Sequence, residues 1–172
     1  VEKNLNRAFL HFKAAANLNH GRAKDYLADC YYNGHGTEKN FEEAARYFKD
    51  AADNHGIASS ANKLGYMYLD GEGVEKDENK AIHYFLMAAD GGVIETQKII
   101  AREYFNGFDD ETKAFEWFIK AADQGDAEAE YMVGGCYKHG VGVSVDIKKA
   151  NEWLTKAAEH GNDRAKRELG MI

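Results

Sequence analysis

Residues 64–92 read LGYMYLDGEGVEKDENKAIHYFLMAADGG, and the rest of the chain is this stretch again, in whole or in part. Its skeleton is L-G-x-x-Y-x-x-G-x-G-V-x-x-D-x-x-K-A-x-x-Y-F-x-x-A-A-x-x-G. The leading position recurs as Leu27, Leu64, Ile100, Val133 and Leu169; the next is Ala28, Gly65, Ala101, Gly134 and Gly170, always small. The tyrosine returns as Tyr31, Tyr68, Tyr104 and Tyr137, at spacings of 37, 36 and 33 residues. Ala8, Ala44, Ala81, Ala114 and Ala150 are each followed, seven and eight residues later, by an Ala-Ala pair. A period of this length marks stacked supersecondary units, none of which can bury its apolar face alone.

Each unit predicts two helices. Asn4, Asn40, Asp77, Asp110 and Asp146 stand four residues before the first alanine, and all are side chains that accept hydrogen bonds from the free N–H groups of a helix start. They place the second helices, the first from about Leu5 to Leu18, and Glu43 after Asn40 suggests a capping box. Three and four residues past the alanine come His11-Phe12, Tyr47-Phe48, Tyr84-Phe85, Trp117-Phe118 and Trp153-Leu154. With the alanines these form one helical face, which reads as core packing, His11 included. Asn19, Gly56, Gly92, Gly125 and Gly161 supply the left-handed residue that ends each second helix. First helices are expected to start near Ala23, Ser60, Thr96, Ala129 and Ala165, and to end at Gly34, Gly71, Gly107 and Gly140. Three of the turns that follow read G-x-G; the one after Gly107 is three residues shorter and reads Phe108-Asp109-Asp110-Glu111.

The motifs L-G-x-x-Y, G-x-G-V, K-A-x-x-W/Y and A-A-x-x-G, in fixed order over nearly the whole chain, resemble those of Sel1-like repeat (SLR) proteins, in the tetratricopeptide-repeat-like superfamily. Ordinary tetratricopeptide repeats fit less well, for they carry a proline at the end of the second helix and this chain has none. The resemblance implies an all-α fold, a right-handed alpha-alpha superhelix (solenoid) of about five helix-turn-helix repeats. The units fall at about 1–21 (second helix only), 22–56, 57–92, 93–125, 126–161 and 162–172 (the start of a further unit). A single array over 1–172, opening and closing inside a unit, leads to the expectation that the chain is a fragment of a longer protein. The family implies a non-catalytic interaction scaffold or adaptor: its members serve in membrane-protein degradation complexes, in signalling and in bacterial contact with hosts.

Composition agrees. The net charge of −7 weighs against nucleic acid or an anionic membrane as partner, both of which reward Lys and Arg. There is no apolar run long enough to span a bilayer. Cys30 and Cys136 occupy the same place in units three apart, too far to bridge, so both read as free thiols; the disulfide-stapled branch of the family is not matched. The G-x-G turns lack the rest of a dinucleotide fingerprint. His20, His35, His55, His139 and His160 each precede a glycine at a helix end, and no two histidines have the i, i+4 spacing of a helical metal pair. No nucleophile carries a base at motif spacing. Neither cofactor nor metal is expected.

If the leucine, small residue and tyrosine of the first helix face the core, the opposite face lies at −9, −6, −5, −2, +1 and +2 from the tyrosine, at 100° per residue. That face holds Tyr26, Asp29, Tyr32 and Asn33, then Lys63, Tyr66 and Asp70, then Arg102, Phe105 and Asn106, then Tyr131 and Lys138, besides Asp25 and Lys98. Its residues vary while the scaffold repeats, and they mix rings with amides and charges. A protein or peptide partner lying in the concave groove would meet the enriched hot-spot types there. The alternatives are a helical-repeat nucleic-acid binder, as in pentatricopeptide arrays, which needs a basic groove, and an enzyme whose site lines the groove. Open repeat ends would also permit oligomerisation.

Overall fold

The computed structural model describes residues 2–106 and 110–172, with side chains from residue 4. The shortened-turn reading at Phe108 and Asp109 lies outside the described residues. Among those described there are ten α-helices and no strand. They form two compact units, residues 1–93 and 94–172. The first contains α1 (Glu2–Asn17), α2 (Gly21–Asn33), α3 (Phe41–His55), α4 (Ala58–Asp70) and α5 (Glu78–Asp90). The second contains α6 (Ile94–Asn106), α7 (Glu111–Ala122), α8 (Ala127–His139), α9 (Ile147–Glu159) and α10 (Asp163–Glu168).

Helix starts follow local chemistry. Asn40, Asp77, Asp110 and Asp146 each accept a hydrogen bond from the backbone N–H three residues on, at 3.0 Å. Each cap contributes about 1 kcal/mol. Asn4 does not cap, because α1 already begins at Glu2 and Asn4 lies within it. The capping box is half made: Asn40 receives the Glu43 N–H, but the Glu43 carboxylate turns to Arg46 at 2.7 Å. First helices begin two residues earlier than the small residues suggest, so Ser60, Thr96, Ala129 and Ala165 sit inside the first turn and are wholly buried. They are small because another helix passes there.

Helix ends follow backbone freedom. Asn19, Gly56, Gly92, Gly125 and Gly161 all have positive φ, as do the helix-ending Gly34, Gly71 and Gly140. The second glycine of each G-x-G turn has a further duty. A Cβ on Gly36, Gly73 or Gly142 would collide with the backbone of Leu5, Phe41 or Glu111. Each turn therefore rests on the start of the second helix before it.

Within the first unit α2 pairs with α3 and α4 with α5, while α1 covers α2 and α3 covers α4. Phe48, Leu64, Met67 and Tyr84 fill the centre between walls of alanine. Burying Phe48 fully contributes on the order of 2–3 kcal/mol. Tyr31 stacks on Tyr47 at 5.8 Å and Tyr68 on Tyr84 at 5.6 Å, the repeat tyrosine meeting the aromatic of its own hairpin each time. In the second unit α6 pairs with α7 and α8 with α9. Phe118, Val133 and Leu154 are buried there in the same register. His11, read as a core position, is exposed. Among the described residues only α2 packs on α1 to any extent, so that flank of α1 has no covering helix.

Charged groups are buried where a first helix meets the second helix that follows. The Lys24 ammonium bonds Asn19 at 2.5 Å, Asp50 at 2.6 Å and His55 at 3.1 Å. At the same repeat position Gln97 accepts a bond from Gln124 at 2.9 Å. Glu130, 2% exposed, meets His160 Nδ1 at 2.8 and 3.0 Å. Burial demands such partners, since an unpaired charge there would cost several kcal/mol, on the order of 3–5.

Candidate functional site

Two successive first helices of the first unit frame a cavity of about 380 Å³. Asp29, Tyr32 and Asn33 come from α2, Lys63, Tyr66 and Asp70 from α4, and Phe48 of α3 lies between them. These positions meet because α2 and α4 present the same register of the repeat, one unit apart.

The polar groups of the cavity are mostly held by one another. Lys63 Nζ donates to both carboxylate oxygens of Asp29 at 2.7 Å and lies 3.7 Å from Asp25. The same ammonium stands 5.0 Å over the Phe48 ring, a cation–π arrangement. Tyr32 Oη donates to Glu72 at 2.7 Å, and its ring meets Phe41 edge-on at 5.1 Å. The Glu72 carboxylate, accepting that bond, pushes the Tyr32 phenol up to about 12, with burial and the charge of Asp70 adding to it. Asn33 donates to the Asp29 carbonyl at 3.0 Å. Tyr66 leans edge-on against Phe85 at 4.9 Å yet stays 38% exposed. Asp70 is exposed and makes no hydrogen bond or ion pair with any described residue.

A second cavity, of about 220 Å³, opens at the matching register of the second unit, among Phe105, Phe118, Tyr131, Met132, Gly135 and His139. Met132 stands where Lys63 stands in the first, Gly135 for Tyr66 and His139 for Asp70. Its lining is accordingly richer in apolar groups, with His139 and Glu168 its polar ones.

Six of the fourteen residues named for the variable face thus line the first cavity, and Phe105 and Tyr131 line the second. Tyr26 is half exposed and stacks on Phe12 at 5.1 Å. Arg102 pairs with Glu128 at 2.9 Å and Lys138 with Glu168 at 2.6 Å, and Asn106 is exposed. Two residues placed on that face belong elsewhere. Asp25 is 9% exposed and accepts from Ser60 Oγ at 2.7 Å; Lys98 is 8% exposed and meets Asp126 at 3.1 Å and Glu95 at 3.2 Å. Phe48 and Phe118 were not foreseen as site residues, because an aromatic at a core position carries no outward sign of lining a cavity, and nothing in the sequence marks Glu72 as the acceptor of the Tyr32 hydroxyl.

Among the described residues no group of three or more His, Cys, Asp or Glu could hold a metal ion, and no helix is long and apolar enough to cross a membrane. Cys30 and Cys136 are free and buried.

The family model for the Sel1 repeat matches residues 1–20, 22–55, 58–93, 98–126 and 127–162. No curated protein matches the chain. A Sel1 repeat protein from Oxalobacter formigenes is similar over 97% of the chain, at 34% identity and a TM-score of 0.87. A protective antigen of uropathogenic Escherichia coli strains, displaying an SLR fold, is similar over 95% at 31% identity and a TM-score of 0.79. The chain spans 49% of the first of these and 35% of the second. An immunity protein of Pseudomonas aeruginosa, at 21% identity and a TM-score of 0.55, shares the fold alone. With five repeat matches along its length and the repeat solenoid of its neighbours, the chain belongs to the Sel1 repeat family.

Proposed function

We infer that this chain is a non-catalytic scaffold that binds a protein or peptide partner on the variable face of its first helices. The observation that carries this is the cavity between α2 and α4, where six variable-face residues converge on an open, ring-lined hollow. Scaffold positions of the repeat are fixed by packing, whereas these positions change from unit to unit. A hollow of this size takes one or two side chains of a partner, with the exposed Asp70 carboxylate, which bonds no described residue, available to hold a polar group. Sel1 repeat proteins typically bind proteins, and the family is in general non-catalytic.

The test is an affinity capture with the chain as bait, read by mass spectrometry, beside a Tyr66→Ala/Arg102→Ala control. A protein retained by the chain and lost from the control supports the assignment. Retention indifferent to the two substitutions places binding elsewhere on the molecule and sinks it.

A further inference from the structure

We propose that the α2–α4 cavity is a receptor for a basic side chain, an arginine or lysine of an incoming peptide. The idea rests on the peptide-binding reading of this face and adds the chemistry of its anchor.

The charge around the hollow is lopsided. One ammonium, Lys63, shares the hollow with the carboxylates of Asp29 and Asp70, with Glu72 behind Tyr32 and the buried Asp25 3.7 Å from the ammonium. Lys63 saturates Asp29 with two bonds, and Glu72 accepts the Tyr32 hydroxyl. Asp70, exposed, has no counterion among the described residues and lines the hollow together with Tyr66, one helical turn before it. A carboxylate next to an aromatic face is the pairing that a guanidinium satisfies twice over, by ion pair and by stacking.

The resident lysine shows that the environment suits a cation. Its ammonium sits over Phe48 between two carboxylates, so the cavity already stabilises one positive charge against its own wall. Among the residues that line the hollow, Asp29 and Asp70 outnumber Lys63, which leaves it net negative by one.

The repeat itself does not require this character. At the matching register of the second unit, methionine, glycine and histidine replace Lys63, Tyr66 and Asp70, and the one carboxylate that lines the hollow, Glu168, is paired with Lys138. The acid at Asp70 is Asn33, Asn106 and His139 in the other units. Neither helix packing nor capping accounts for a carboxylate there; complementarity to a cation does.

The test uses the intact chain and a random linear dodecapeptide phage library. Recovered peptides are synthesised with a fluorophore and measured by polarisation against the chain, Asp70→Asn and Tyr66→Ala. Asp70 makes no hydrogen bond or ion pair with any described residue, and circular dichroism verifies that the variant keeps its helices. The expected result is that binders carry an Arg or Lys whose replacement by Gln weakens binding about tenfold, as does Asp70→Asn, with both effects shrinking as salt is raised. Binders that depend on Tyr66 but are indifferent to Asp70 and to their own basic residues would overturn the cation receptor and leave the peptide-binding face standing. Binders indifferent to Tyr66 as well, or none recovered, would overturn both.

Discussion

Two glycines in the middle of helices should respond to the same substitution with opposite signs. Gly65 of α4 and Gly135 of α8 both have ordinary helical backbone, so neither needs glycine for its φ. Replacing an interior helical glycine by alanine should stabilise by about 1 kcal/mol, since the unfolded chain loses freedom. At Gly135 nothing lies within 4 Å of the new Cβ, so Gly135→Ala should deliver that gain in full. At Gly65 the Cβ would stand 2.6 and 2.7 Å from ring atoms of Phe85. Ordinary carbon contacts are about 3.5–4.0 Å, so the ring must retreat by about 1 Å. It has little room, being 7% exposed and pinned at its edge by Tyr66. Overpacking of this kind costs about 1–3 kcal/mol and outweighs the propensity gain, leaving Gly65→Ala destabilised by about 1 kcal/mol. Urea unfolding followed by circular dichroism gives the sign. Amide exchange in α4–α5 and in α8 localises it, as repeat units need not unfold together. If Gly65→Ala is as stabilised as Gly135→Ala, the close approach of α4 and α5 exerts no steric constraint and the packing argument is wrong.

Removing the anion of the Lys24 cluster should hurt more than removing the cation. Asp50→Ala strands a buried ammonium on Asn19 and His55 and should cost about 2 kcal/mol, discounted because Asp50 is one-third exposed, while Lys24→Met should stay within about 1 kcal/mol. The Lys24 ammonium, helped by the Asn54 amide, holds the Asp50 carboxyl below its usual range, so its stabilisation is complete above the ordinary carboxylate pKa and fades as pH falls through the depressed one. Acid titration of unfolding should accordingly be flatter in Asp50→Ala than in the unsubstituted chain. Burial, followed by the charge of Glu111, pushes the Cys136 thiol up to about 11, and burial raises Cys30 as well; neither should react with an aromatic disulfide reagent at pH 8 until urea is added, and rapid labelling would refute their burial. Asp146→Ala should lower stability by about 1 kcal/mol and Asp146→Asn by much less, because the amide oxygen can still accept the Lys149 N–H; equal losses would mean that the cap bond is not what Asp146 contributes.

The helix stops were legible because a positive φ restricts residue choice, and the chain places glycine or asparagine at each expected stop among the described residues, Gly107 lying outside them. The caps were legible for the same kind of reason, except at Asn4, where the helix runs through. The burial of Asp25 and Lys98 was not. A helical wheel divides a helix into a packed side and a wet side along its whole length, but the opening turn of α2 meets Ser60 of α4, and that of α6 meets Asp126, so a residue on the wet side there is covered. The variable face could be listed from the repeat, and six of its residues do converge on one cavity. That the floor would be Phe48 could not be read, because the same ring serves the core on one side and the hollow on the other.

The G-x-G turns bear on how such a chain can change over generations. Gly36, Gly73 and Gly142 press against main-chain atoms of Leu5, Phe41 and Glu111, an aliphatic, an aromatic and an acidic residue. The joint between one unit and the next is therefore blind to the residue it touches. Any unit that carries this turn between its two helices can be set behind any other whose second helix starts in the same way. Duplication, loss or exchange of whole units by recombination meets no mismatch at this joint, and the variable face can be reshuffled in blocks about one repeat long without redesigning the seam.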